Sequence, residues 1–132
     1  MKRIFVDTNA YSLLLRGDKK IESEISVSDE VLISVISLGE IYFGYYQGGL
    51  LQKNLENLDA FLGKDSVLTV KVNKNISFIY GQTKYELEKK GVPIPSNDIW
   101  IAASCIETDS VLITYDRHFL NIPKVKVWKK LT

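Results

Sequence analysis

The sequence has very few of the residues that build disulfide frameworks or zinc sites. It contains one cysteine, Cys105, and one histidine, His118, among 132 residues. One cysteine cannot form an intramolecular disulfide, so a secreted fold held by disulfides is excluded and a reducing compartment is expected. One cysteine and one histidine also cannot supply the ligands of a Cys/His zinc site. Any metal bound by this chain must therefore be held mostly by carboxylates, which favours Mg²⁺ or Mn²⁺.

An excess of one charge and long hydrophobic runs are also missing. The chain has 17 Lys and Arg against 16 Asp and Glu, a formal net charge of +1, which excludes a histone-like cationic binder. No run approaches the roughly 18 apolar residues of a membrane span. Asp7 interrupts the N-terminus before the apolar region of a signal peptide could form. These absences predict a cytoplasmic protein without a membrane partner.

The composition that is present is that of an ordinary folded domain. Hydrophobic residues make up 45% of the chain and charged residues 25%, close to the average for soluble globular proteins. A disordered chain would have fewer apolar residues and a larger net charge. The length suits one domain, which we expect to span residues 1–132 without an internal repeat or linker.

Short apolar runs alternate with helical patterns along the chain. The apolar runs predict five strands, at 4–6, 31–33, 67–72, 111–113 and 125–128. Helical spacing and helix stop signals predict six helices, at 11–15, 20–25, 37–46, 51–62, 74–90 and 97–107. Strands separated by helices form βαβ units, so we predict an α/β fold with a parallel sheet and helices on both faces.

Four acidic residues are predicted at the carboxyl edge of this sheet, where ligands bind in such folds. Asp7 follows the first strand, Asp116 follows the fourth, and Glu40 lies in the predicted first turn after the second. Asp98 begins the helix that precedes the fourth strand, and this helix must run antiparallel to that strand. Its N-terminus therefore returns to the same edge. Converging carboxylates repel one another, and a divalent cation would remove that repulsion and activate a water for attack on a phosphodiester.

Each acid also has a purely structural interpretation as a helix cap, a first-turn acid or a turn residue. Ser37 and Glu40 even have the spacing of a capping box. Glu40 nevertheless favours a functional role, because it lies between Ile36 and Phe43 on a helix that is apolar on two sides. A carboxylate between apolar neighbours is costly without a ligand or hydrogen bonds.

Four short motifs surround these acids. They read Phe5-Val6-Asp7-Thr8-Asn9, Ser37-x-x-Glu40, Asn97-Asp98-Ile99-Trp100-Ile101-Ala102-Ala103, and Thr114-Tyr115-Asp116 followed by Phe119. In order and spacing they resemble the PIN-domain ribonucleases, and specifically the VapC-type toxins of toxin–antitoxin pairs, over nearly the whole chain. The resemblance implies a three-layer α/β/α sandwich with a five-stranded parallel sheet. It also implies Mg²⁺- or Mn²⁺-dependent endonucleolytic cleavage of RNA, leaving a 3′-hydroxyl and a 5′-phosphate.

The same resemblance implies roles for individual residues and partners. The catalytic metal ligands, direct or through water, would be Asp7, Glu40, Asp98 and Asp116. The polar residues that orient them would be Thr8, Asn9, Ser37, Asn97 and Thr114. The implied partners are an RNA substrate, a second copy of the chain in a homodimer, and a small antitoxin whose tail fills the acidic cleft. We place the protein contacts on the helices predicted at 37–46 and 51–62.

Several basic residues near the C-terminus are candidates for binding RNA phosphates, which dominate nucleic-acid affinity. Arg117 is preferred because it adjoins Asp116. The other candidates, each of which also suits an ordinary solvated face, are Lys124, Lys126, Lys129 and Lys130. We interpret the remaining distinctive side chains as structural, namely His118, Cys105, Trp100, Trp128 and most of the seven tyrosines.

Two other interpretations stay open. One is a different Mg²⁺ enzyme or phospho-acceptor on a similar sheet. A phosphatase of that kind has Asp-x-Asp-x-Thr after the first strand, where this chain has Asp7-Thr8-Asn9, and a receiver domain needs an acid near 71–73, where there is none. The other is a catalytically silent PIN-like module that binds RNA or protein, against which the presence of all four acids argues.

Overall fold

The predicted strands and helices form in the computed structural model, which describes residues 1–131. The elements, in chain order, are β1 (Arg3–Val6), α1 (Thr8–Leu15), α2 (Lys19–Ser26), β2 (Glu30–Ser34), α3 (Val35–Gln47), α4 (Leu51–Leu62), β3 (Val67–Val70), α5 (Lys74–Lys90), α6 (Ser96–Glu107), β4 (Val111–Ile113), a 3₁₀ helix (Arg117–Asn121) and β5 (Lys126–Val127). Within residues 1–131, every helix is too short or too polar to cross a bilayer.

The five strands form one sheet in the order β3-β2-β1-β4-β5, and every pairing is parallel. The chain therefore leaves β1 toward one side of the sheet and later returns to its other side. Val6 of β1 pairs with Ile33 of β2 and with Ile113 of β4. The residues that follow these three strands consequently emerge together at one edge, at the switch point where α/β proteins bind ligands.

Side chains of the central strands alternate between two separate cores, as the two-residue period of a strand requires. Ile4 and Val6 pack on one face against helices α1 to α4, whereas Phe5 and Leu112 pack on the other face against α5, α6 and the 3₁₀ helix. Both faces of β1 are buried because helices cover both. The predicted α/β/α sandwich around a five-stranded parallel sheet is confirmed.

Helix α3 begins two residues earlier than predicted. Ser34 is its N-cap, with a side-chain oxygen that accepts a hydrogen bond from the Ile36 backbone N–H at 3.0 Å. Ser37 therefore lies inside the helix, and the predicted capping box with Glu40 is wrong. Glu40 itself lies in the second turn rather than the first, so its side chain projects from the body of the helix.

The tyrosines divide between the core and the surface. Tyr11 is buried, and three partly buried tyrosines pack against the two cores, namely Tyr42, Tyr45 and Tyr80, so the structural interpretation holds for most of the seven. Trp100 is half-buried and stacks on Tyr80 with ring centroids 3.8 Å apart. Trp128 and Cys105 are buried as predicted. Burial raises the pKa of the Cys105 thiol to about 12, so that thiol is inert at neutral pH.

Candidate metal centre

The four acids predicted at the carboxyl edge lie in one cleft. Asp7, Glu40, Asp98 and Asp116 all line a cavity of about 430 Å³. Asp7 follows β1 directly, Asp116 is the N-cap of the 3₁₀ helix after β4, and Asp98 lies in the first turn of α6. Four segments far apart in sequence thus contribute one carboxylate each.

Asp7 is the most buried of the four acids, with only 4% of its surface exposed. One carboxylate oxygen accepts the Ala10 backbone N–H at 2.7 Å, which caps α1. The other oxygen accepts the Thr114 hydroxyl at 2.5 Å. Burial raises the pKa of Asp7 to about 6, and the nearby Asp98 and Asp116 add to that rise, which the two hydrogen bonds only partly oppose. The ionised form of Asp7 is therefore costly in this cleft.

Thr114 connects two of the acids. Its fully buried hydroxyl donates to Asp7 and accepts the Asp116 backbone N–H at 2.9 Å. Its carbonyl accepts the Trp128 indole N–H at 2.6 Å, which ties this segment to the core. Thr114 therefore has the geometry of a residue that fixes the relative positions of Asp7 and Asp116.

Glu40 is held by residues from two other elements. The Thr8 hydroxyl donates to its Oε1 at 2.6 Å, and the Asn97 side-chain amide donates to its Oε2 at 3.4 Å. Thr8, Asn9 and Asn97 line the cleft with it. The carboxylate that was expected to be costly on an apolar helix thus has two hydrogen-bond donors, one from α1 and one from α6.

Ser37 does not act with this group. Its side chain is fully buried, does not line the cleft, and its hydroxyl has no hydrogen-bond partner among residues 1–131. The predicted role of Ser37 in orienting a carboxylate is therefore wrong. The reason is the earlier start of α3, which places Ser37 on the same side as the buried Ile41, facing the core.

His118 was missed as a member of the site. Its Nε2 lies 3.1 Å from Oδ2 of Asp98, and its Nδ1 lies 2.9 Å from Oδ1 of Asp116. The 3₁₀ helix that starts after Asp116 turns the chain back toward the cleft, and this brings His118 between the two acids. The sequence does place His118 two residues after Asp116, a predicted cleft acid. The direction of the His118 side chain, however, depends on the 3₁₀ turn after Asp116.

The donor set fits a hard divalent cation. One potential ligand atom from each of Asp98, Asp116 and His118 lies within 4.8 Å of the other two. The pKa of Asp98 is raised, chiefly by burial and then by Glu40 and Asp116, although His118 opposes the rise. The raised pKa values of Asp7 and Asp98 come first from burial and then from neighbouring acids, so ionised carboxylates are destabilised in this cleft. A cation ligated mainly by carboxylates would compensate their charge and suits Mg²⁺ or Mn²⁺.

The basic candidates divide between two places. Lys124 precedes β5, whose first residue pairs with the first residue of β4, so Lys124 lies toward the amino edge of the sheet, opposite the cleft. Its Nζ lies 3.4 Å from the side-chain oxygen of Gln82. Lys124 therefore does not lie beside the acidic cleft. Arg117, in contrast, lines a cavity that adjoins the cleft.

The other basic candidates are also away from the cleft. Lys126 forms an ion pair with Asp109, with 2.5 Å between Nζ and Oδ1. Lys129 and Lys130 line a different cavity together with Lys2. Of the predicted basic residues, Arg117 alone is placed beside the acids by the described part of the chain.

Comparison with known proteins identifies the fold and its relatives. A family model described as PIN domain matches residues 4–125. A relative, ribonuclease VapC2 of Rickettsia felis, is 29% identical over 102 residues, covering 76% of this chain and 75% of that protein. VapBC2 from Rickettsia felis bound to a promoter DNA fragment has a TM-score of 0.87 at 24% identity, covering 96% of this chain and 97% of that one. VapBC-1 from nontypeable Haemophilus influenzae has a TM-score of 0.86 at 25% identity, covering 96% of both chains.

These matches argue against the phosphatase and receiver-domain interpretations, because the family model spans the first, second, third and fourth acidic motifs together. The structural matches extend over 96% of the chain, which agrees with the α/β fold described above. The chain belongs to the PIN domain family.

Proposed function

We propose that this protein is a Mg²⁺- or Mn²⁺-dependent endoribonuclease and the toxin of a cytoplasmic toxin–antitoxin pair. The observation that carries the proposal is the convergence of four carboxylates, from four segments of a PIN domain, in one cleft. The relationship to a VapC ribonuclease supports RNA as the substrate. The similarity to VapBC complexes supports a protein partner.

The cleft acids are the proposed metal-binding groups, with His118 beside two of them. When bound, the cation supplies a water of lowered pKa and neutralises charge on the phosphodiester. The ligands of this proposed site are Asp7, Glu40, Asp98 and Asp116. His118 lies between two of these acids, with Nε2 3.1 Å from Asp98 Oδ2 and Nδ1 2.9 Å from Asp116 Oδ1.

The surrounding polar residues keep the carboxylates in place. Thr114 fixes Asp7 against the backbone of Asp116, while Thr8 and Asn97 hold the two oxygens of Glu40. Such hydrogen bonds set the direction of a carboxylate before a ligand arrives, which removes part of the cost of ordering it. Asn9 lines the same cleft and is available to contact the substrate.

An exposed apolar surface on α3 and the start of α4 is the proposed antitoxin contact. Phe43, Tyr46 and Leu50 are 65%, 73% and 62% exposed. Large exposed apolar groups of this kind mark protein interfaces. A groove of about 360 Å³ under Phe43 shares Glu40 and Asn97 with the acidic cleft. A partner segment on α3 would therefore reach the acids and block them. We propose the homodimer contacts on the same two helices, α3 and α4.

Removal of divalent cations is expected to abolish RNA cleavage. The test incubates the full chain with a 5′-labelled single-stranded RNA in EDTA, in Mg²⁺ and in Mn²⁺. Cleavage should require one of the cations and should leave 3′-hydroxyl and 5′-phosphate ends. Equal cleavage in EDTA would contradict the proposal. A folded chain that binds RNA but never cuts it would instead favour the catalytically silent module.

A further inference from the structure

A second cavity continues from the acidic cleft and has the opposite charge. Its volume is about 520 Å³, within the roughly 300–1,000 Å³ of typical ligand pockets. It shares Asn9 and Asp116 with the acidic cleft, so the two cavities are continuous. The rest of its lining is Ser12, Leu13, Arg16, Tyr115 and Arg117. A chain-like ligand could therefore occupy both cavities at once.

Among the described residues 1–131, neither arginine of this cavity forms an ion pair with a carboxylate. The Arg16 side chain forms no ion pair or hydrogen bond with another residue of the described chain 1–131. Nη1 of Arg117 donates to the Leu131 carbonyl at 2.8 Å, which orients the guanidinium, and its other donors have no partner within residues 1–131. Asp18, an acid outside the lining that contacts Tyr115, is already engaged by the Tyr115 hydroxyl at 2.9 Å and by the Ile21 N–H at 3.0 Å.

Tyr115 is held in position at the wall of the cavity. Its hydroxyl donates to Asp18, and its ring meets that of Trp128 edge-on, with centroids 5.4 Å apart. The side chain remains 37% exposed. A fixed, partly exposed aromatic ring is a platform on which a nucleobase of any identity can stack, since every base has a π-face.

We propose that this cavity, bounded by Arg16, Tyr115 and Arg117, binds the single-stranded RNA next to the phosphodiester that lies in the acidic cleft. The inference rests on the proposed ribonuclease function and adds where the substrate strand lies. Guanidinium groups bind phosphate through paired N–H donors, and Tyr115 would contact the adjoining nucleoside. An acidic cleft repels a polyanion until its cation is bound, so a cationic group beside it is needed to hold the strand.

Replacing Arg16 with alanine tests the inference without disturbing a visible interaction in the fold. Affinity for a labelled single-stranded RNA, measured by fluorescence anisotropy in Ca²⁺, should fall roughly tenfold. The slope of log affinity against log salt should become shallower by about 0.7 for each phosphate that the variant no longer neutralises. In Mg²⁺, KM for RNA should rise while kcat stays unchanged. Arg117→Ala should act in the same direction, and Arg117→Lys should restore part of the affinity.

A matched control removes an equal charge elsewhere. Lys64 is exposed and precedes β3 at the amino edge of the sheet, so Lys64→Ala should leave RNA affinity and the salt slope unchanged. RNA affinity and cleavage that do not change in Arg16→Ala would overturn the inference and leave the ribonuclease function standing. RNA binding that depends on Arg16 but is never followed by cleavage would support the inference and contradict the ribonuclease function. Tighter, Arg16-dependent binding of a polyglutamate peptide would assign the cavity to an acidic protein segment and overturn the inference.

Discussion

Replacing Asp7 with asparagine is expected to slow RNA cleavage by at least about a hundredfold, since even outer partners of metal ligands typically contribute 10–100-fold. Asparagine keeps the size of the side chain and an oxygen that can accept the Ala10 N–H. It removes the negative charge that attracts the cation, so the loss of cleavage reflects weaker metal binding rather than unfolding. Single-turnover cleavage in Mg²⁺, with protein in excess over RNA, measures this effect directly.

Asp65→Asn is the matched control for this substitution. Asp65 is exposed, lies before β3, and is not among the residues that line the acidic cleft. The same chemical change at this position should leave the cleavage rate unaltered. Wild-type cleavage by the Asp7→Asn variant would show that the most buried acid of the cleft has no part in the reaction.

The same Asp7→Asn substitution should stabilise the folded protein at neutral pH in EDTA by up to about 3 kcal/mol, less the contribution of the hydrogen bond that the amide no longer accepts from Thr114. The folded-state pKa of Asp7 is raised from its ordinary 3.8 to about 6, chiefly by burial. At about 1.36 kcal/mol per pKa unit, the ionised carboxylate destabilises the fold by about 3 kcal/mol. Asparagine carries no charge to desolvate. The free energy of unfolding, obtained from urea titrations of both proteins, measures the difference.

The sign of this effect gives it a specific pH dependence. Because the folded state holds the Asp7 proton more tightly than the unfolded state, this group makes the wild type less stable as pH rises from about 4 to 6. The advantage of Asp7→Asn should therefore disappear below pH 4 and reach its full value above pH 6. If Asp7→Asn is less stable than the wild type at every pH, the buried, ionised Asp7 carboxylate does not destabilise the folded state.

The sheet and the four acids could be predicted because both follow from short-range rules. Apolar runs such as Ile4 to Val6 form strands buried on both faces, and parallel strands must end at one edge. The position of an acid that directly follows such a strand, at the carboxyl edge of the sheet, can therefore be predicted from the topology alone. Asp98 could be placed as well, because its helix has to return to the edge where the next strand will end.

Other parts of the site depend on local turns that the sequence does not reveal. Ser34 and Ser37 are both suitable N-caps, and the choice between them decides whether Ser37 faces the core or the cleft. The 3₁₀ turn after Asp116 decides the direction of His118. The position of Lys124 depends on the register of β5, a strand of two residues with little pattern of its own.

The near-neutral total charge also hid a division within the molecule. Without the four cleft acids, the rest of the chain carries a net charge of +5. Part of that excess, at Arg16 and Arg117, lies directly beside the acids. A net charge summed over the whole chain therefore cannot show how cationic and anionic groups are distributed around one site.

Calorimetric titration of Mn²⁺ into the full chain at pH 7.5 tests most directly the central claim that the carboxylate cleft binds a divalent cation. The wild type and Asp65→Asn should bind Mn²⁺ saturably and with the same affinity. Asp7→Asn should bind at least about tenfold more weakly, since it lacks one of the charged ligands. Absence of saturable binding to the wild type, or equal binding by Asp7→Asn, would contradict the claim.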